Sequence, residues 1–411
     1  MLTHGLMRAN HQVSVFTRFE NPFLQDYEIK ESIDTLDPRI TVYQVNMARD
    51  KDRYRHVKLD DALSSCINES KPDLAHIGHL NHLSTSMVEV LNSHNIPILF
   101  TLHDFWLMCP RGQFLQIGLG EYPLWNLCTG QEDNKCAKSC YSRYYTGLEG
   151  SLERDIQYWT NWIHQRMEHI KEIIKKVQMF VAPSKHLYNR FVNEFNIPIE
   201  KIVYLDYGFE INRLRNRTRN KEESFVFGYI GTHIPAKGIH LLIKSFGKVK
   251  GDTRLRIYGR SRPQNTSALG DIVKKLPEAK QEQIGWFPEY QNEDIMEKVF
   301  NRVDAIVVPS IWDENSPLVI HEAQQARVPV ITADYGGMKE YVAHKQNGIL
   351  FKHRDIADLA SQMQFCIKNP GQLKQLGARG YLYSESGDII SIDEHVKELE
   401  KIYERLIEVN Q

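Results

Sequence analysis

Short apolar runs alternate with stretches of helical periodicity along the whole chain. Apolar runs bounded by turn residues are typical of buried strands, and apolar residues three and four positions apart indicate the helices that cover them. This alternation predicts an α/β protein built from parallel, doubly wound sheets. The predicted strands are residues 13–17, 40–45, 74–78, 97–102, 179–182 and 202–205 in the first half, and 225–230, 255–258, 305–308, 329–332 and 348–351 in the second.

A polar, basic segment separates the two sets of strands. Residues 212–220, NRLRNRTRN, lack apolar periodicity, which is typical of a junction between domains. We therefore place one Rossmann-like domain at 1–211 and a second at 212–390. Residues 391–411 have apolar residues at helical spacing and predict a terminal amphipathic helix, which would cross back to the first domain.

The charge balance excludes one class of partner. Lys and Arg total 51 against 52 Asp and Glu, for a net charge of -1, so the chain has no overall attraction for nucleic acid. An anionic ligand would have to be held by a local site. No apolar run approaches the ~20 residues that a membrane helix needs, and no signal-like segment follows Met1, so we expect a cytoplasmic protein.

The most informative segment is 309–323, PSIWDENSPLVIHEA, which follows a predicted buried strand and leads into a helix near Pro317. Glu314 and Glu322 flank the amino end of that helix, where unpaired backbone N–H groups form a seat for phosphate. A carboxylate accepts two hydroxyl groups, so this pair suits a sugar on one side of a phosphate and a ribose on the other. Alternatively, both are solvated acids near a helix start, where negative charge is favoured.

The spacing of these two glutamates resembles a known motif. Glu314 and Glu322 have seven residues between them, as in the E-x7-E motif of family-4 glycosyltransferases, and residues 309–340 resemble the pattern around it. The resemblance implies a retaining enzyme of the GT-B fold, with two Rossmann-like domains that face a central cleft. It also implies that Glu314 contacts the donor sugar and Glu322 the ribose. The backbone amides of Leu318 and Val319 would hold the diphosphate.

A second segment shares this resemblance. Residues 228–238, GYIGTHIPAKG, end a strand, turn through glycines and open a helix, an arrangement that brings the backbone of Gly231 and Thr232 close to a phosphate. Lys237 resembles the family lysine that neutralises the leaving diphosphate. Thr232 stands where the family often has arginine, so one fixed positive charge is missing.

Three further residues are candidates for the predicted donor site, two of them as alternatives for one role. Arg260 or Arg262, after the strand at 255–258, would replace the missing charge, unless both are solvated loop arginines. Phe287, in the GWF sequence at 285–287, resembles the loop that lines the nucleobase pocket, although an aromatic residue there also suits core packing.

The first half of the chain resembles the acceptor domain of the same family. Residues 101–103, Thr-Leu-His, follow a predicted strand and resemble its T-x-H motif, which implies that His103 faces the donor sugar and β-phosphate. His103 would then donate a hydrogen bond, the alternative being a structural histidine. Asp104 either orients His103 or caps the following turn. His76 and His79 follow another strand and either line the acceptor side or are structural.

A cluster of cysteines and an acidic pair raise the question of metals. Cys136 and Cys140 have three residues between them, which is within the range of zinc-ligand spacing, and a loop as long as 109–140 gains from a metal clip. We predict a structural zinc or iron–sulfur centre, the alternative being free thiols. Asp50-Lys51-Asp52 has the D-x-D pattern of metal-dependent transferases but lies in a charged run, so we interpret it as a solvated loop. The family resemblance implies that amides and basic residues stabilise the diphosphate, so we expect no catalytic metal. The ligands of the structural centre would be Cys109, Cys128, Cys136 and Cys140.

The resemblance implies transfer of a hexose from a nucleotide-diphosphate sugar to an acceptor hydroxyl, with retained anomeric configuration. The acceptor would be a glycan or a lipid-linked sugar in cell-surface polysaccharide or glycolipid synthesis. Two alternatives stay open: a non-catalytic GT-B subunit that serves as a binding module, and a sugar synthase with the same donor site. A basic amphipathic helix at 155–177 would allow peripheral contact with the inner face of the membrane, unless it packs on the sheet.

The family pattern is matched from the end of its first helix onward, at residues 6–17. The first strand and the glycine-rich loop of that pattern would precede these residues. A parallel sheet without a central strand exposes unpaired N–H and C=O groups. We therefore expect either that the natural protein begins upstream of Met1 or that this chain is poorly active alone.

Overall fold

The computed structural model describes residues 1–47, 54–81, 83–117, 125–220, 222–261 and 263–410. The chain divides into two compact units. The N-terminal unit comprises Met1–Gly112, Gly130–Phe209 and Ile390–Gln411, and the C-terminal unit comprises Gln113–Thr129 and Glu210–Ile389. Over the described ranges, no helix is long and apolar enough to cross a membrane.

Strands and helices alternate through most of the chain. The strands are β1 (Ser14–Phe19), β2 (Ile29–Ile33), β3 (Thr41–Asn46), β4 (Ala75–Ile77), β5 (Ile98–Thr101), β6 (Leu115–Gln116), β7 (Asn126–Leu127), β8 (Met179–Ala182), β9 (Ile202–Tyr204), β10 (Phe225–Ile230), β11 (Thr253–Tyr258), β12 (Ile284–Phe287), β13 (Ala305–Val308), β14 (Val330–Ala333) and β15 (Gly348–Phe351). The helices are α1 (Leu2–Arg8), α2 (Val57–Ser70), α3 (Met87–Ser93), α4 (Asp133–Ser139), α5 (Leu152–Ile174), α6 (Lys185–Phe195), α7 (Ile239–Phe246), α8 (Pro263–Lys274), α9 (Glu278–Gln281), α10 (Ile295–Lys298), α11 (Leu318–Gln325), α12 (Ile356–Lys368), α13 (Pro370–Arg379) and α14 (Ile392–Asn410).

The strands of the N-terminal unit form two separate sheets. One has the order β1-β3-β2, with β2 antiparallel to β3, and the other is the parallel sheet β4-β5-β8-β9. The edge strands β1 and β4 both line a cavity of about 940 Å³. Residues 13–18 border this cavity without interruption, and Leu74, His76 and Gly78 border it from the other sheet. The open edges of the two sheets therefore share one cavity.

Helix α14 packs inside the N-terminal unit. Its Ile392 and Val396 lie in one apolar cluster with Leu6 of α1 and Leu99 of β5. Sequence periodicity alone predicts the apolar stripe of this helix. Burial of that stripe, which removes apolar surface from water, is what attaches the end of the chain to this unit.

Helix α5 also buries its apolar stripe. Of the two interpretations of this segment, membrane contact and packing within the protein, the structure favours packing. The basic residues of its exposed face are matched by acids one turn away, with Lys171 2.7 Å from Glu168 and Lys175 2.6 Å from Glu172. The exposed face is therefore one of mixed charge. The buried residues of the helix include Trp159, Ile163, Met167, Ile170 and Ile173.

The C-terminal unit is built on one six-stranded parallel sheet in the order β12-β11-β10-β13-β14-β15. Strands β13 and β14, AIVV and VITA, are buried at every position, as expected for strands covered on both faces. The chain runs outward from β10 to β12 on one side of the sheet and from β13 to β15 on the other. The strand order therefore reverses between β10 and β13, and such a switch point is where open α/β sheets bind ligands.

The segment 109–140, predicted as a loop, contains regular structure. Strands β6 and β7 pair antiparallel, and α4 follows them. Leu115 of β6 packs with Ala236 and Ile311 of the C-terminal unit. These contacts join residues far apart in sequence, which is why local periodicity did not reveal them.

Candidate functional site

Two loops leave the switch point of the C-terminal unit side by side. Strands β10 and β13 are parallel neighbours, with Phe227 opposite Ala305 and Gly228 opposite Ile306. The loop after β10 contains 231–237. The loop after β13 begins at Pro309, and the two are joined where Ile311 N donates to Ala236 O at 2.9 Å. Residues 228–238 and 309–323, the two segments that the sequence indicates, therefore lie side by side in one candidate site.

The carboxylate of Glu314 is buried between these two loops. Lys237 Nζ lies 2.7 Å from its Oε1, and Ser310 Oγ donates to the same oxygen at 2.6 Å. Because the Glu314 side chain is only 6% exposed, these two donors offset the cost of burying its charge. Within the described residues nothing donates to Oε2, which leaves that oxygen able to accept ligand hydroxyls.

The backbone around Glu314 is fixed by a close approach at Gly337. Gly337 N donates to Glu314 O at 2.8 Å. A Cβ at this position would overlap the carbonyl oxygen of Asn315, so only glycine fits. Gly238, at φ +68°, meets the carbonyl oxygen of Pro309 in the same way. These approaches explain why both segments that resemble the family carry glycine here.

Glu322 lies in helix α11 and forms an ion pair with Arg213. Arg213 donates to Glu322 Oε1 at 2.7 Å and to the carbonyl oxygen of Asn292 at 2.7 Å. Burial raises the pKa of Glu322, and the guanidinium of Arg213 opposes that shift. In the sequence, Arg213 is marked only as part of the basic junction at 212–220. The two residues are 109 positions apart, so no local pattern indicates the pair.

The predicted phosphate seat lies at the start of α11. Leu318 and Val319 form its first turn, after Pro317. N–H groups of a first helical turn have no partner within the helix, so these amides suit an anion. Across the switch point, Gly231 N donates to Tyr258 O at 3.1 Å, and the carbonyl of Thr232 accepts from Tyr229 at 3.0 Å. The loop after β10 is therefore held by one backbone bond and by the side-chain hydroxyl of Tyr229.

The remaining donor-site candidates lie at the ends of β11 and β12. Arg260 is exposed, and its Nε lies 3.9 Å from a carboxylate oxygen of Glu289. Arg262 lies outside the described residues. Phe287 is half-buried and stacks on Tyr258, with ring centroids 4.8 Å apart. Its ring is therefore packed against the sheet and still partly accessible.

In the N-terminal unit, His103 follows β5 and borders the 940 Å³ cavity. Its Nδ1 lies 2.7 Å from the hydroxyl of Tyr207, and the two rings stack at 5.5 Å. Although the ring is accessible from the cavity, the surrounding protein desolvates it and lowers its pKa to about 4. His103 is therefore neutral at pH 7. A neutral imidazole has one N–H, so one ring nitrogen of His103 donates and the other accepts.

The neighbours of His103 have structural partners. Asp104 accepts from Trp106 N at 2.7 Å, which caps the following turn, and lies 3.3 Å from His79. His76 bonds to Tyr403 at 2.6 Å and to Thr101 at 2.7 Å. Of the alternatives left open by the sequence, the geometry favours capping for Asp104 and a structural role for His76.

The cysteines are not gathered into a metal site. Within the described chain, no group of three or more Cys, His, Asp or Glu residues is arranged to hold a metal ion, and none of the six cysteines forms a disulfide. Cys136 and Cys140 pack among aromatic residues of the N-terminal unit, where Cys109 is also buried. Cys128 belongs to the C-terminal unit. The prediction of a zinc or iron–sulfur centre thus gains no support from the described residues. Asp50-Lys51-Asp52 lies outside the described residues.

Comparison with known families identifies the chain. Residues 1–213 match the family model described as Glycosyltransferase Family 4, and residues 210–383 match Glycosyl transferases group 1. The first match alone covers more than half of the chain. The chain belongs to glycosyltransferase family 4.

Relatives of this family-4 chain include capsular polysaccharide biosynthesis glycosyltransferase CapM of Staphylococcus aureus. It is 24% identical over 234 residues, covering 51% of this chain and 58% of CapM. The chain spans about half the length of the curated relatives it matches. This match and the family models confirm the family prediction.

Solved structures confirm the fold of the family-4 chain as GT-B. Sucrose-phosphate synthase from Thermosynechococcus elongatus superposes with a TM-score of 0.71 at 16% identity, covering 99% of this chain and 92% of that one. Anabaena HepE, solved in complex with UDP, gives a TM-score of 0.63 at 15% identity, covering 88% and 86%. At this identity the likeness concerns the fold alone.

Proposed function

We propose that this chain transfers a hexose from a nucleotide-diphosphate sugar to an acceptor hydroxyl, with retained anomeric configuration. One observation carries the proposal. At the switch point of the C-terminal unit, the buried carboxylate of Glu314 and the ammonium of Lys237 lie 2.7 Å apart, and α11 starts in the loop that carries Glu314. An acceptor of sugar hydroxyls, a cation and a helix start are what a nucleotide-diphosphate sugar requires.

The proposed roles follow the polarity of the reaction. As the glycosidic bond to the diphosphate breaks, negative charge develops on the leaving phosphate. Lys237 and the amides of Leu318 and Val319 would oppose that charge, and removal of one such group typically costs about 10²–10³ in kcat. Glu314 would hold the sugar hydroxyls and Glu322 the ribose.

His103 would serve as a neutral hydrogen-bond donor. Desolvation lowers its pKa to about 4, so it carries no charge at neutral pH and donates through one ring nitrogen. A neutral donor suits the sugar or the leaving phosphate oxygen. The leaving phosphate itself would accept the proton of the acceptor hydroxyl.

The acceptor of the proposed reaction is a glycan or lipid-linked sugar in cell-surface polysaccharide or glycolipid synthesis, at the inner face of the membrane. Support comes from the similarity to CapM, whose name places it in capsular polysaccharide biosynthesis.

The donor half of the proposal is tested by thermal shift with a panel of nucleotide sugars. A donor present at about 100 times its Kd adds about 2.7 kcal/mol to the free energy of unfolding, so the cognate donor should stand out. Glu322→Ala should weaken nucleotide binding, and Glu314→Gln should chiefly lower turnover. Glu278→Gln, at an exposed glutamate of α9, is the control. Wild-type transfer rates in both site variants would contradict the assignment.

A further inference from the structure

The cation beside Glu322 comes from the short segment at the start of Glu210–Ile389 in the C-terminal unit. Arg213 lies in a single helical turn, Ile211–Leu214, before the first strand of the sheet. Its side chain is 16% exposed and that of Glu322 is 14% exposed, so water screens this pair weakly. The pair is therefore partly buried within the unit.

The guanidinium of Arg213 is held at two points. One terminal nitrogen donates to the carbonyl oxygen of Asn292 at 2.7 Å, and the other donates to Glu322 Oε1 at 2.7 Å. Because the guanidinium is rigid and planar, fixing one nitrogen on a backbone oxygen also fixes the other. The carboxylate of Glu322 is therefore held through Oε1. Within the described residues, no donor reaches Oε2.

We propose that Arg213 is a positioning residue for the nucleotide-sugar donor, which fixes the carboxylate of Glu322 and maintains its charge so that Oε2 accepts the ribose hydroxyls. The inference rests on the proposed function, since it assigns the ribose to Glu322. It adds a residue that the family motif in this sequence does not contain. Arg213 contacts the carboxylate and acts on the donor through it.

Three ionisable groups face Glu322, and Arg213 opposes the effect of its burial most strongly. Tyr290, from the loop after β12, is desolvated, and its pKa is raised further by the charge of Glu322. His321 precedes Glu322 on α11, with Nδ1 3.3 Å from the carbonyl oxygen of Pro317. Burial raises the pKa of Glu322, and the charge and hydrogen bonds of Arg213 are the larger opposing influences. Without Arg213 the neutral acid is favoured, and a neutral acid is the weaker acceptor.

The test measures the pH dependence of nucleotide affinity. UDP, ADP and GDP are titrated calorimetrically into the wild type, Arg213→Gln and Glu322→Gln between about pH 6 and pH 9, where an ordinary carboxyl no longer titrates. For the nucleotide that binds, Arg213→Gln should lose about tenfold or more in affinity near neutrality and recover part of it as the pH rises. Glu322→Gln should bind weakly at every pH, and the double variant should lose no more than Glu322→Gln alone.

The control is Arg215→Gln. Arg215 lies two positions away, is 46% exposed and pairs with Asp388 at 3.4 Å, so it should leave the pH profile unchanged. Arg213→Gln with wild-type affinity, or with a loss that is the same at every pH, would overturn the positioning role even if it lowers stability. Wild-type binding by Glu322→Gln would instead contradict the ribose assignment in the proposed function. The two failures are therefore distinguishable.

Discussion

Glu314 is a buried carboxylate and Glu322 a partly buried one, and the cations that pair with them differ in kind. Lys237 is a compact charge on a flexible stem, and its side chain is 32% exposed. Arg213 is a rigid fork fixed on the carbonyl oxygen of Asn292. A flexible ammonium can turn from a carboxylate to an arriving phosphate, whereas an anchored guanidinium stays with its partner. At the scale of single residues, Lys237 suits the reacting centre and Arg213 suits positioning.

Replacement of Lys237 tests this distinction. Lys237→Met should lower kcat by about 10²-fold or more, because a charge aimed at the leaving phosphate is lost. The melting temperature should also fall, because the buried Glu314 carboxylate loses one of its two donors, so kcat is measured well below the melting temperature. Steady-state kinetics with the cognate donor provide the measurement. Lys274→Met, at an exposed lysine of α8, is the matched control, and an equal loss in both variants would refute the role.

The buried histidines of the N-terminal unit predict acid sensitivity. Desolvation lowers the pKa of His76 to about 3, below the value of about 6.5 in an unfolded chain. Between these values the unfolded chain binds more protons, so stability is full above about pH 6.5 and falls as the pH decreases towards 3. His76→Gln removes this titration and should reduce the drop in melting temperature between about pH 7 and pH 5. An unchanged drop, matching the exposed control His164→Gln, would contradict the prediction.

At the scale of elements, the loops at the carboxyl ends of β10 and β13 depend on close backbone approaches. Gly337→Ala should cost about 1–3 kcal/mol, because its Cβ would overlap the carbonyl oxygen of Asn315 and displace the Glu314 loop. Urea unfolding gives the stability, and donor titration gives the effect on binding. Gly371→Ala, in α13 with open space around the position, should be neutral or stabilising. Equal behaviour of the two variants would show that the approach at Gly337 is not required.

How far elements could be predicted depends on where their contacts lie. The run Ala305–Val308 is apolar at every position because β13 is covered on both faces, and its bounds follow from the sequence. Strand β2, IKESI, is an edge strand exposed along most of its length, so no apolar alternation marks it. Strand β12 was missed for a similar reason, since Trp286 is exposed. The motif glutamates and Lys237 could be predicted, whereas Ser310 and Arg213 could not, because their partners are set by tertiary packing.

At the scale of the whole molecule, the two units differ in how their strands are arranged into sheets. The main sheet of the C-terminal unit has six strands, with the switch point at its centre. The N-terminal unit has two sheets whose open edges, β1 and β4, share a cavity bordered by His103. Sequence periodicity predicted most strands of both units, but not β2, β6, β7 or β12. It could not predict that residues 113–129 belong to the C-terminal unit, because their few apolar residues pack against distant ones.

The anomeric configuration of the product tests most directly whether the chain is a retaining glycosyltransferase. The wild type is incubated with the α-linked nucleotide sugar that gives the largest thermal shift and with a panel of glycan and lipid-linked acceptors, and the anomeric proton of the product is read by NMR. We expect an α-linked product whose formation is lost or strongly slowed in Glu314→Gln and retained in Glu278→Gln. A β-linked product, or donor binding with no transfer to any acceptor, would contradict this expectation.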